Sequence, residues 1–313
     1  MNRNVYRTKA NVMKIASSLA RYLFLIAIGY VLLYPFLFMV SKSVQAPTDV
    51  YNPMVQWIPR NFSLSGFKVA IEVLDIPSSM FASLYYEIVS ALLEIVSCAV
   101  AAYGLARFKF KGRNLLMGAV ILNIFVPVNM IIIPIFVNFS HLDFMGILGF
   151  ISKLIGTEIR PNLINTPFAF WFPSIFGVGL KGGLFVYIYT RFFMGLPKEL
   201  EEAAWVDGSG PLKTFMKIIV PSSGPAFVSV SLLAIVWHWN DYFLPQMYLS
   251  ENYPLSVSLA NIWDNMNNQT FVQFNAVTVV ISGCLISIIP LLIFYMVIQK
   301  KFVASITTSG IVG

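Results

Sequence analysis

Residues 201–208 read EEAAWVDG, and a proline follows at Pro221, between two long apolar runs of the chain. Pro197 upstream suits the first turn of a helix, where its missing N–H would have no partner. The glutamates that follow complement the positive end of the helix dipole. The run DGSGP at 207–211 must end that helix, and a second, amphipathic helix begins near Pro211. The segment 197–221 is therefore predicted to be a polar helix–turn–helix in an otherwise apolar chain.

The side chains of this segment suit contact with another protein. Ala203 and Ala204 favour a helix and add little bulk, so that a second surface can approach closely. Glu201 and Glu202 can make charge-assisted hydrogen bonds to a basic partner. The residues themselves leave a second interpretation open, in which the segment is a well-capped connector and nothing more.

The composition is that of a membrane protein. Of the 313 residues, 58% are hydrophobic and 11% are charged, whereas soluble domains have about 45–50% apolar and about 25% charged residues. The net charge of +7 is interpreted as a topology signal and not as a nucleic-acid site, because the basic residues cluster beside the apolar runs. Cys98 and Cys284 lie inside apolar runs and are expected to pack as small hydrophobic residues, and no metal site is predicted.

Six apolar segments have the roughly 20 residues that cross a bilayer. They are 22–40, 82–106, 115–138, 170–192, 222–240 and 276–298. The first could instead be a secretory signal peptide followed by the cleavage-like triplet 44–46, but its apolar stretch is longer than is usual for one. The predicted fold class is therefore an all-α polytopic membrane protein with six transmembrane helices.

The Lys and Arg residues predict the orientation. Fifteen lie in 3–21, 107–113, 191–217 and 300–301, and five lie in 42–68 and 153–160. This excess predicts that both termini and the segment 197–221 are cytoplasmic. The predicted organisation is a cytoplasmic segment 1–21, a permease domain 22–298 with its cytoplasmic loop at 197–221, and a cytoplasmic tail 299–313. The segment 41–80, with Trp57, Pro59 and Asn61, is predicted to be an ordered external loop.

The segment 197–221 resembles the EAA signature of permease subunits in bacterial ATP-binding-cassette (ABC) importers. The resemblance rests on Glu202-Ala203-Ala204, on Gly208 and on the run 218–221, in which Val220 replaces the usual leucine. The stretch PKELEEAA at 197–204 is closest to the maltose-transporter type, which imports carbohydrates. Segments 101–112, 239–241 and 302–310 resemble the same branch, and together the similarity covers most of the chain from residue 82 onward.

The resemblance implies that the EAA helix docks into a cleft on a cytoplasmic ATPase and transmits its closure to the membrane spans. Glu202 would pair with a basic residue of the ATPase, the alanines would permit close docking, and Gly208 would make the turn. The tail near Ser309 and Gly310 could insert between the ATPases. The implied ATPase-coupling residues are Glu201, Glu202, Ala203, Ala204, Asp207, Gly208 and Pro221.

The chain has no G-x-x-x-x-G-K-[ST] phosphate loop, so it is predicted to be a transport subunit and not an enzyme. The resemblance implies that Mg-ATP binds to partner subunits and that this chain holds no cofactor. The implied partners are a second, different permease, two ATPase subunits, an extracytoplasmic solute-binding protein and membrane lipid, but no nucleic acid. The implied location is the bacterial cytoplasmic membrane.

Charged residues inside spans suggest a substrate path. Glu94 lies in the second span with Glu87 one heptad earlier on the same face, and Lys181 lies in the fourth among several glycines. One hypothesis places Glu94 and Lys181 in a polar cavity as an ion pair. The alternative starts a helix near Gly179, which leaves Lys181 at the outer interface and Glu94 bonded to a neighbouring helix.

The run Trp237–Asp241 at the end of the fifth span has aromatic and polar groups that suit sugar recognition. Trp is also enriched at membrane interfaces for partition reasons, so both interpretations stay open. His238 has no second histidine nearby, which argues against a metal site. The candidate substrate-path residues are Glu94, Lys181, Trp239, Asn240 and Asp241.

Three other functions compete with a carbohydrate importer. A secondary transporter would show inverted halves, and an intramembrane enzyme would show a nucleophile–base pair or ligand cluster within the spans; neither pattern is visible. An importer of peptide or phosphate would share the EAA segment, and only the flanking similarities favour a sugar.

Overall fold

The computed structural model describes residues 3–143, 146–268 and 276–309. Within these ranges the chain is helical, and its one isolated β-bridge joins Gln45 to Phe62. The helices are α1 (Arg3–Ser43), α2 (Pro47–Val50), α3 (Ser65–Val73), α4 (Ile76–Ala82), π1 (Ser83–Ile88), α5 (Val89–Arg107), α6 (Arg113–Phe125), α7 (Val128–Ser140), α8 (Ile147–Ile155), α9 (Phe168–Ile175), α10 (Gly182–Gly195), α11 (Glu199–Val206), α12 (Pro211–Thr214), π2 (Phe215–Ile219), α13 (Val220–Ser222), α14 (Gly224–Asn240), α15 (Phe243–Tyr248), α16 (Leu255–Ala260), α17 (Ile262–Asn268) and α18 (Ala276–Ser309).

In the described part of the chain, three helical stretches are long and apolar enough to cross a membrane. They are Met13–Ser43, Ile76–Arg107 and Ala276–Lys300, and they contain the predicted spans 22–40, 82–106 and 276–298. Two bent pairs, Arg113–Phe125 with Met130–Ser140 and Pro211–Ser222 with Gly224–Asn240, would raise the number to five. Six crossings and cytoplasmic termini remain predictions.

The predicted span 170–192 is not one continuous helix in the structure. Helix α9 ends at Ile175 and α10 begins at Gly182, because Gly177 (φ 68°) and Lys181 (φ 67°) adopt the left-handed conformation, which no helix interior accepts. The alternative prediction, a helix that starts near Gly179, lies close to the observed start of α10 at Gly182. The predicted boundaries at 21/22 and 298/299 fall inside α1 and α18, which run through them without a break. Gly310 of the predicted tail contact lies outside the described residues.

The contacts divide the chain into two compact units. Among the described residues, the first unit contains those up to Val73 and those of 266–286, and the second contains those of 74–265 and those from Ser287 onward.

The core of the second unit forms where α5, α10 and α14 pack together. Small residues of α5, among them Ala91, Cys98 and Ala102, are fully buried and contribute to one core cluster with Phe185 and Tyr189 of α10. Small side chains let membrane helices approach closely, which leaves room for the aromatic rings. Cys98 is thus buried in apolar packing, as predicted, and Cys284 is half-buried.

Gly182 is one of these close approaches. A Cβ atom at this position would clash with the backbone oxygen of Gly177 and would lie 2.8 Å from Glu94 Oε1. We expect Gly182→Ala to lower the free energy of unfolding by about 1–3 kcal/mol, as overpacking does. Gly104→Ala in α5 is the matched control, since no atom lies within 4 Å of its added methyl, and it should stabilise by up to about 1 kcal/mol. Thermal unfolding in detergent measures both, and equal effects would refute the close-packing explanation.

In the first unit, the loop after α1 is held by hydrogen bonds around Asp49. Its Oδ2 accepts the backbone N–H of Asn61 at 2.6 Å, and its Oδ1 accepts the Asn61 side-chain amide at 2.9 Å. Backbone bonds from Ala46 to Asn61 (3.0 Å) and from Ser63 to Val44 (2.9 Å) close the same loop, and the Ser41 hydroxyl donates to the Trp57 carbonyl. These bonds agree with the predicted order of the segment, and its external position stays a prediction.

The two hydrogen bonds from Asn61, above all the one from its backbone N–H, hold the pKa of Asp49 below its ordinary value of 3.8. A carboxylate with a lowered folded-state pKa stabilises the fold above its unfolded pKa, and this stabilisation is lost as the pH falls through the folded pKa. The wild type should therefore melt above Asp49→Asn at neutral pH, and the difference should shrink below about pH 4. Thermal unfolding of both proteins between pH 7 and pH 3 tests this, and a difference that does not depend on pH would contradict it.

Candidate functional site

The predicted helix–turn–helix is present in the structure. Helix α11 ends at Val206, and the chain turns through Gly208, whose φ of 75° suits glycine. The N–H of Gly208 bonds to the Trp205 carbonyl at 3.0 Å, and that of Ser209 bonds to the Ala204 carbonyl at 2.9 Å. Such bonds satisfy the carbonyls at the end of the helix. The second arm, α12 with π2, buries Phe215 and Ile219.

The inner side of α11 is tied to the end of α5 by an ion pair. Glu201 Oε1 lies 2.8 Å from Arg107 Nε, and both side chains are 4% exposed. Arg107 also donates to the Leu196 carbonyl at 3.0 Å. The carboxylate of Glu201 is therefore used within this chain, although the sequence grouped it with the ATPase contact. The pairing could have been suspected because the predicted topology puts both residues on one side of the membrane.

The outer side of the segment is open and partly apolar. Ala204 is buried like Glu201, whereas Glu202, Ala203, Asp207, Gly208 and Pro221 are exposed. Large apolar side chains accompany them, with Val206 87% and Leu212 69% exposed. We call the surface formed by Glu202, Ala203, Trp205, Val206 and Leu212 the EAA face. Concentrations of exposed apolar side chains occur at surfaces that contact other proteins or membranes.

A second polar feature lies inside the second unit, where His238 of α14 meets two carboxylates. His238 Nε2 lies 2.8 Å from Glu94 Oε2, and Nδ1 lies 3.5 Å from Glu87 Oε2. All three residues are buried. Both ring nitrogens face acceptor oxygens, and only the imidazolium form donates from both. The prediction that Glu87 and Glu94 share a face is confirmed, because both reach the same ring.

A cavity of about 670 Å³ adjoins this cluster. Its wall is mainly apolar and aromatic, with a few polar groups, which is typical of small-molecule sites. The polar and aromatic residues of the wall include Glu87, Ser90, Asn123, Lys181, His238, Asp241, Phe170, Phe172, Phe176, Trp237 and Tyr248.

The predicted substrate-path residues separate into two groups. Lys181 and Asp241 lie on the cavity wall. Glu94 lies behind the wall and bonds to His238, not to Lys181 as the ion-pair hypothesis required. The ammonium of Lys181 instead lies 5.8 Å from the centre of the Trp237 ring. Trp239 donates to the Ser287 carbonyl at 3.1 Å and Asn240 to the Val236 carbonyl at 2.7 Å, so both use their polar groups within the fold.

Sequence reasoning missed His238 and Trp237 as wall residues. Both belonged to the aromatic run at the end of the fifth span, but periodicity alone does not say which of five consecutive residues faces a cavity. Ser90 and Asn123 gave no signal, since isolated polar residues in apolar helices are common.

Known transport proteins resemble the chain over nearly its whole length. The arabinooligosaccharides transport system permease protein AraQ of Halalkalibacterium halodurans is 24% identical over 91% of this chain and 93% of its own. The trehalose transport system permease protein SugB of Mycobacterium tuberculosis is 27% identical over 92% and 95%. The melibiose/raffinose/stachyose import permease protein MelC of Bacillus subtilis is 26% identical over 89% and 91%.

The fold is also similar to that of a solved structure. A chain of a bacterial ABC transporter involved in the import of the acidic polysaccharide alginate superimposes with a TM-score of 0.73 at 22% identity, over 93% of this chain and 98% of that one. A sequence family matches residues 95–308, about two-thirds of the chain, and this range includes the EAA segment and His238, whereas Glu87 and Glu94 precede it. The chain therefore belongs to the family of binding-protein-dependent transport system inner membrane components.

Proposed function

We propose that this chain is the permease subunit of an ATP-driven importer, and that it forms half of the translocation pathway for a sugar or oligosaccharide. The observation that carries the proposal is the EAA face, an exposed surface of small, acidic and apolar side chains on a well-capped helix–turn–helix. Such a surface suits the cleft of a separate ATPase, which would bind Mg-ATP and hydrolyse it. The sugars in the names of the relatives support a saccharide cargo and give no support to a peptide or phosphate cargo.

The proposal extends to topology and assembly. The chain crosses the bacterial cytoplasmic membrane six times with both termini and the EAA segment in the cytoplasm, as the distribution of basic residues indicates. The broken segment 168–195 would supply the fourth crossing. A second, different permease, two ATPase subunits and an extracytoplasmic solute-binding protein complete the importer. In this arrangement the chain transmits ATP-driven movement and opens the pathway, and catalysis belongs to its partners.

Co-purification tests the proposal. The chain is tagged and expressed together with its presumed partner permease, ATPase and binding protein, and the complex is reconstituted into liposomes. We expect the ATPase and the second permease to purify with it, and a neutral oligosaccharide to accumulate only when ATP is enclosed on the ATPase side. A chain that purified alone and transported without ATP would act as a secondary transporter, and the proposal would be wrong.

A further inference from the structure

Glu87 is the cavity-wall residue whose hydrogen bonding is incomplete. It is 1% exposed, and its Oε2 lies 3.5 Å from His238 Nδ1. Its Oε1 is buried and has no hydrogen-bond partner among the residues that the structure describes. Buried polar atoms in native proteins nearly always have a partner, and each exception calls for an explanation.

A purely structural role explains this carboxylate poorly. Glu94 already holds His238 with the shorter contact of 2.8 Å, so one carboxylate is enough to link α5 to α14. A second buried carboxylate adds a desolvation cost that a 3.5 Å contact offsets only in part. Glu87 also lies in π1, and π-helical turns inside helices occur frequently at functional sites.

The groups around Glu87 define which ligand the cavity accepts. Lys181 supplies a donor and Asp241 an acceptor on the same wall, and aromatic rings supply apolar faces. This combination suits a molecule with several hydroxyl groups and apolar CH faces, as a saccharide has. The volume of about 670 Å³ falls in the range of small-molecule pockets.

The charges around the cavity argue against an acidic ligand. The wall has two acidic residues, Glu87 and Asp241, and two basic residues, Lys181 and His238, so it offers no surplus of basic groups. A uronate carboxylate would lose its hydration on entering this cavity and would find no surplus of basic groups to compensate, which is costly. A neutral saccharide carries no such charge, and its hydroxyls can donate to the oxygens of Glu87 and Asp241.

We propose that this cavity is a saccharide subsite on this chain, in which Glu87 Oε1 accepts a sugar hydroxyl and a wall without surplus basic groups favours neutral sugars over uronates. The inference rests on the proposed function, because the importer must carry a sugar for the subsite to be used.

Protection of an engineered cysteine measures occupancy of the cavity without relying on transport. In the assembled transporter, Leu180→Cys on the cavity wall is combined with Cys284→Ala, and a maleimide reports access to residue 180. Trehalose, raffinose and arabinotriose serve as neutral probes, and trigalacturonate serves as the acidic probe. We expect at least one neutral probe to slow labelling at concentrations that leave trigalacturonate without effect.

Two variants then test the role of Glu87 itself. Glu87→Gln should raise the half-protecting concentration of the neutral probe about tenfold, as loss of a hydrogen bond to a charged group does. Glu94→Gln is the matched control, since it also removes a carboxylate partner of His238 but lies behind the wall, and its effect should be at least about fivefold smaller. If Glu87→Gln folds poorly, Lys181→Met tests the cavity wall by the same assay, since Lys181 is exposed. It should raise the half-protecting concentration of the neutral probe severalfold.

The outcomes separate this inference from the proposed function. Equal effects of Glu87→Gln and Glu94→Gln would overturn it, as would better protection by trigalacturonate or no protection by any neutral probe. If ATP-driven sugar uptake is intact while protection is absent, only the subsite is wrong. If the wild-type complex shows no ATP-driven uptake, the proposed function is wrong, and the protection assay still decides whether the cavity binds saccharides.

Discussion

Arg107→Leu should lower the free energy of unfolding by about 3–5 kcal/mol, because it leaves the Glu201 carboxylate buried without its partner. The same change removes the donor to the Leu196 carbonyl at the start of the EAA segment. We therefore expect the segment 197–221 to lose its fixed position against α5, and transport to fall together with stability. Thermal unfolding in detergent and limited proteolysis of the segment measure the two effects.

The double variant Arg107→Leu/Glu201→Leu is the control for this expectation. Replacing both members of a buried ion pair by apolar residues is often neutral or stabilising, so the double variant should recover most of the lost stability. Glu202→Gln should change stability by less than about 0.5 kcal/mol, since its side chain is exposed. Equal losses for Arg107→Leu and the double variant would show that the ion pair is not the cause.

Glu202→Arg should abolish coupled transport and leave the chain folded in the membrane. The residue lies on the EAA face, and reversal of its charge would put like charges together where the proposed ATPase cleft is basic. Such a juxtaposition costs several kcal/mol, which corresponds to a loss of at least about a hundredfold in ATP-driven uptake. Uptake into proteoliposomes, co-purification of the ATPase and the melting temperature of the permease are the three measurements.

A matched charge reversal elsewhere makes this prediction specific. Glu251 is equally exposed but lies outside the EAA segment, so Glu251→Arg should keep ATPase binding. Val206→Asp, which places a charge at the most exposed apolar position of the EAA face, should behave like Glu202→Arg. Full uptake and full ATPase co-purification in Glu202→Arg would show that this glutamate does not contact the ATPase.

Local patterns predicted the helices well where length and hydrophobicity were sufficient. The spans 22–40, 82–106 and 276–298 lie within long helices because an uninterrupted apolar run has few alternatives in a membrane. The break within the predicted span 170–192 did not follow from hydropathy, which takes no account of backbone conformation. Gly177 and Lys181 reverse the sign of φ there and divide the segment into two helices.

In the candidate site, too, some features could be predicted from neighbouring residues and others depended on tertiary contacts. The turn at Gly208 and the helix before it followed from residue types that act on their immediate neighbours. The inward position of Glu201 did not, because a helix with acidic residues at adjacent positions has no single polar face. Only its contact with Arg107 on another helix distinguishes Glu201 from Glu202.

Composition and local residue order were sufficient to predict the membrane class, the EAA helix–turn–helix and the resemblance to importer permeases. Each of these depends on composition or on residues close together along the chain. Three features could be seen only in the folded chain: the Arg107–Glu201 pair, the contacts of Glu87 and Glu94 with His238, and the cavity beside them. These features depend on how α5, α10 and α14 pack, which joins residues as far apart as Glu94 and His238, 144 positions along the chain.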